Sequence, residues 1–65
     1  MQILVINQYG QSELICSEVI PRIGDKVDLF EGTLPTVASV VLWPSERLLK
    51  NLTTRLDIDA IVAVN

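Results

Sequence analysis

The sequence predicts a mainly β domain with one helix. In this α+β protein five strands form a strongly bent antiparallel sheet or small barrel, in the order β-β-β-β-α-β. Three observations lead there. Nine leucines, eight valines and seven isoleucines gather in short runs separated by glycine and proline, the pattern of strands between turns. Only residues 45–56 set leucines at helical spacing. The run Ile20-Pro21-Arg22-Ile23-Gly24-Asp25-Lys26-Val27 reads as a proline-gated turn that delivers the chain into a new strand.

Residues 2–8 make the first strand, apolar on both faces through Ile3, Leu4, Val5 and Ile6 and polar at Asn7 and Gln8. Tyr9-Gly10-Gln11-Ser12 is the expected hairpin turn, because Gly10 takes a positive φ at little cost. The second strand covers residues 12–20. It sets Leu14, Cys16 and Ile20 on one face and Glu13, Ile15, Ser17 and Val19 on the other, with a bulge near Glu18 able to shift the phase. Pro21 removes a backbone donor and stops it.

Gly24-Asp25 turns into a short third strand over residues 26–30, and residues 31–35 connect it to a fourth over 36–43. The fourth strand places Val37, Val41 and Trp43 opposite Ala38, Val40 and Leu42, so burial on both sides is expected. Pro44 biases Trp43 toward an extended backbone. Ser45 is placed to cap a helix to residue 56, whose Leu48, Leu49, Leu52 and Leu56 form one apolar stripe. Asp57 leads into the last strand, residues 58–64. No linker or repeat divides the chain, so residues 1–65 make one domain. The first, fourth and fifth strands are apolar on both sides and need cover on each face. Curling of the sheet, the helix and a subunit contact are the expected covers.

A domain of 65 residues hides only about 60% of the surface its unfolded chain exposes. Cys16 is the sole cysteine and histidine is absent, so neither an internal disulfide nor a Cys/His zinc site adds support. Aliphatic packing and self-association remain, and a homo-oligomer is expected. The net charge is −3 with no basic cluster, which argues against nucleic acid as partner. No secretory leader and no apolar run of membrane-spanning length are read from the sequence, so no membrane partner and a cytoplasmic location are expected.

The turn at residues 20–27, followed by the strand over 36–43 and an apolar last strand, resembles small SH3-like β-barrel proteins. In particular it is similar to short proteins of unknown function encoded by phages and mobile elements, in which a P-x-x-G-D-x-V turn precedes the central strands. The resemblance covers residues 12–64. It implies a barrel fold and a mobile-element accessory protein, placed in the host cytoplasm if phage-encoded, and it brings no catalytic residues.

Candidate chemistry is sparse. Asp57 and Asp59 share a strand face and Asp25 and Asp28 flank a strand start, but the dense spacing of a calcium loop is missing; turn and strand-end solvation is the preferred reading, with no metal and no cofactor expected. Cys16 has no histidine to activate it and reads as a buried structural cysteine. Gly10, Gly24 and Gly32 are isolated turn residues rather than a phosphate loop. No catalytic residue is assigned. The candidate binding residues are Tyr9, Arg22, Phe30 and Trp43: the three aromatics as partner anchors, against core packing for Phe30 and Trp43, and Arg22 with Lys26 as contacts for an acidic partner. The function expected is a non-enzymatic, self-associating protein-interaction module. The alternatives are a nucleic-acid-binding small barrel and a small-ligand binder with its pocket at a subunit interface.

Overall fold

The computed structural model describes residues 1–27 and 34–65. Its elements are β1 (Gln2–Ile6), β2 (Ser12–Cys16), β3 (Val37–Leu42), α1 (Glu46–Leu52) and β4 (Ala60–Val64). Among the described residues the strands form one open four-stranded sheet in the order β2-β1-β4-β3. This corrects the expected five-stranded antiparallel sheet or SH3-like barrel. The sheet is mixed, because β4 runs parallel to β1, with Ile3 beside Ala60 and Val5 beside Val62, while β2 and β3 flank that pair antiparallel. Closure is unnecessary here, since one face is covered by α1 and the other by the segment that follows β2.

Burial follows the strand alternation. On one face Ile3, Val5, Val37, Ala60, Val62 and Val64 form a closed core, flanked by Ile15 and Val40 and covered by Ile20 and Val27. On the other, Leu4 and Ile61 pack with Ile58 and with Leu49 of α1, joined by Ile6, Leu14 and Leu48. The two central strands are therefore buried on both sides, as their sequences require. Of the third expected strand, the described residues show a bridge between Lys26 and Thr36, with Val27 N–H donating to Pro35 O at 3.0 Å. Its remainder, residues 28–30, lies outside the described residues.

Two further expectations are corrected. The strand at residues 36–43 was expected to be buried on both sides, yet Ala38, Ser39, Val41 and Leu42 of β3 are exposed. It is an edge strand, and α1 lies over β1 and β4 rather than over it. The helix ends at Leu52, four residues short, because Thr53 adopts an extended backbone after its N–H makes the last helical bond, to Leu49 O; the paired β-branched Thr53 and Thr54 are poor helix formers. Leu56 consequently lies beyond the stripe, and both it and Leu52, the last helical residue, are exposed. At its start, Ser45 caps α1 as expected, its hydroxyl accepting from Leu48 N–H at 3.2 Å.

Beyond the helix, Arg55 grips Asp57 in a two-pronged pair, Nε–Oδ1 at 3.0 Å and Nη2–Oδ2 at 2.6 Å. Those hydrogen bonds hold the Asp57 carboxyl below the usual aspartate range. In an NMR titration Asp57 should titrate below an ordinary aspartate and return to that range in Arg55→Ala. An unchanged midpoint in the variant would mean that the pair does not form in solution. Core burial gives a stronger expectation. Ile3 is wholly buried on β1, so Ile3→Ala should cost about 2–5 kcal/mol, against a total of roughly 3–10 kcal/mol for a domain of this size. Urea denaturation should show the variant largely unfolded or close to it, and a midpoint like that of the wild type would contradict this core assignment.

Candidate functional site

The turn after Pro21 builds one side of a groove. Asp25 N–H bonds to Arg22 O at 3.0 Å, and the Asp25 carboxylate accepts from Arg22 N–H at 2.9 Å. Gly24 occupies the third position with φ +94°, the conformation a type II turn demands. The turn is then fastened to the outer edge of β3: Gly24 N–H donates to Val37 O at 2.9 Å and Val37 N–H to Asp25 O at 2.8 Å. This places Ile20, Pro21, Arg22 and Ile23 across an open groove of about 520 Å³ from Val40 and Leu42. Among the described residues Arg22 is the one charged residue lining it.

Among the described residues, the floor of the groove ends in a strand edge that no other strand pairs. Trp43 N–H bonds to Asp59 O and Asn65 N–H to Thr36 O, while a bulge between Val37 and Ser39 adjusts the register. Alternation along the ladder then directs the backbone groups of Ser39 and Val41 toward β4, and those of Val40 and Leu42 outward. β3 is the last strand in the sheet order, so among the described residues no strand meets them. Ile23 is 70% exposed and Leu42 54%, an apolar rim beside bare backbone donors and acceptors.

Trp43 closes this edge. Its φ is +50°, the left-handed region that costs a residue with a side chain about 1–2 kcal/mol, where Pro44 was expected to hold it extended. The hydrogen bond to Asp59 fixes its N–H on the sheet while the chain turns off toward α1, and the left-handed conformation reconciles the two. The side chain is 67% exposed, not in the core.

The other candidates lie elsewhere. Tyr9 is exposed and lines a separate cavity of about 330 Å³ with Asn7, Gln8, Gln11, Leu34, Pro35 and Asn65. The Asn7 amide there is engaged in the hairpin turn, its Oδ1 accepting from Tyr9 and Gln11 N–H at 3.0 Å; that turn starts at Asn7 rather than Tyr9. Phe30 lies outside the described residues. Cys16, expected to be buried, is exposed on the edge strand β2. Of the candidate carboxylates, Asp28 lies outside the described residues and the other three have partners: Asp25 its turn, Asp57 its arginine, and Asp59 the Gln2 N–H at 2.9 Å. Among the described residues no cluster of acidic or thiol groups is arranged for a metal ion, and no helix is long and apolar enough to cross a membrane.

No family model matches the chain, and no curated protein or solved structure matches it either. The groove residues Ile20, Ile23, Val40 and Leu42 were not singled out from the sequence. A signal for part of them exists: residues 32–45 form a run of fourteen without a charge, and β3 lies within it.

Because Trp43 is exposed and left-handed, Trp43→Asn, which tolerates that conformation, should leave the fold intact and raise stability by about 0.5–1 kcal/mol. Thermal unfolding followed by circular dichroism measures this, and a clear loss of stability would show that the indole is needed for packing.

Proposed function

We propose that this protein is a non-enzymatic contact module whose working surface is the groove between residues 20–23 and β3, together with the adjoining outer edge of β3. The observation that carries the reading is the meeting of two unsatisfied features at one place. Exposed apolar side chains (Ile23, Leu42) stand beside outward-facing backbone groups (Val40, Leu42). An extended segment adding to such an edge gains main-chain hydrogen bonds from the strand and apolar contact from the groove. A small solute gains little from an open, shallow cleft, and a lone arginine is too little positive charge to hold nucleic acid.

Residue-specific crosslinking tests the reading. A benzophenone amino acid at position 23 should yield a discrete protein adduct in the cell that makes this chain, and the same probe at Thr54, outside the groove, should not. Absence of any adduct from position 23 would end the proposal.

A further inference from the structure

We infer that the occupant of this surface is a second copy of the same chain, joined by antiparallel pairing of β3 with β3 of its partner about a twofold axis at Val41. The inference rests on the contact reading above and names its partner. It starts from the reach of the free edge. On one side the edge is closed where Gly24 and Asp25 already bond to Val37; on the other the chain leaves the sheet at the left-handed Trp43. A long extended segment would run into Gly24 and Asp25. A segment that itself turns away after a few residues fits, and β3 is such a segment.

The edge is also its own complement. With the axis at Val41, Val40 of one copy faces Leu42 of the other and the reverse, and these are the residues whose N–H and C=O point outward. Each pair exchanges two hydrogen bonds, as in any antiparallel narrow pair. The two Val41 side chains then meet across the wide pair on the helix-bearing face, where Val41 is 42% exposed, and β-branched residues are good cross-strand neighbours. Leu42 of each copy extends over Val40 of the other on the groove face.

Charge favours the same occupant. A chain of net charge −3 meets its own copy most easily through an uncharged strand, and β3 lies within the fourteen-residue uncharged run, with Arg22 the charged group in the groove beside it. The opposite edge, β2, carries Glu13, the kind of charge that discourages edge pairing. The helices do not obstruct the join. α1 packs over β1 and β4, so the strand spacing puts the two helix axes about 19 Å apart across the combined sheet, and a helix with its side chains is about 10–12 Å wide.

Sedimentation equilibrium on the wild type, Val41→Lys, Val41→Glu and an equimolar mixture of the two variants tests this, with circular dichroism to verify folding. The wild type should dimerise at tens of micromolar. Each variant places like charges opposite each other and should dimerise at least tenfold more weakly, while the mixture should recover the dimer through the Lys–Glu pair. A monomeric wild type at 100 µM, a dimer indifferent to either variant, or variants not rescued by mixing each overturns the inference. Amide exchange on the wild type gives a check that needs no variant: the Val40 and Leu42 amides should exchange more slowly as concentration rises, and exchange independent of concentration would count against the pairing. A monomeric wild type whose position 23 crosslinks to a different protein would remove this inference and leave the contact reading standing; no adduct at all would remove the contact reading.

Discussion

The pairing that organises this molecule is the parallel contact of β1 with β4 at the centre of the sheet. Both strands are apolar on each face, and a parallel pair of that kind is stable only when both faces are withdrawn from water. Sixty-five residues must therefore make two covers as well as a sheet. α1 supplies one through Leu48 and Leu49, and the segment after β2 supplies the other through Ile20 and Val27. The connection from β3 to β4 through the helix follows from this demand, because it lays α1 over the central pair on its way back to the middle of the sheet.

Covers this small do not reach the edges evenly. β2 stays wet at an edge guarded by Glu13, whereas β3 is left with Val41, Leu42 and a groove of aliphatic side chains in view. The left-handed turn at Trp43 belongs to the same geometry. Its N–H is held by Asp59 while Pro44 and Ser45 must head for the opposite layer, and the bend between the two directions falls on a bulky residue. The unusual backbone and the uncovered strand thus share one origin, the short path from β3 to α1.

Much of the local structure was legible in the residues. The existence of the four described strands, the cap at Ser45 and the glycine turn at Gly24 follow from patterning, although β2 ends at Cys16 instead of residue 20 and Ile20 packs on the Ile15 face rather than the Leu14 face. Strand pairing was not. Apolar runs such as 3–6 and 60–64 announce burial on both faces, but burial on both faces is met equally by a curled barrel and by a parallel pair between two covers. Choosing between them depends on where α1 lands, and that depends on Leu49 finding Leu4 and Ile61, a contact between elements that no local spacing encodes. The site was less legible for the same reason. Arg22 and Trp43 stood out as types, whereas Ile23, Val40 and Leu42 look like any core residue until the topology leaves β3 on the outside. Trp43 itself was misplaced because the preference imposed by Pro44 yielded to the tertiary bond with Asp59.

The position of β4 governs when the fold can exist at all. It is the last element in the chain order, yet it occupies the middle of the sheet, separating β3 from β1. Until residues 60–64 are in place, neither the β1–β2 hairpin nor β3 has a neighbouring strand, and both apolar layers lack their common wall. Ordering by distant segments of this kind is slow relative to local helix formation. Folding of the domain therefore waits on the docking of this one strand, whose insertion between β1 and β3 completes both layers at once.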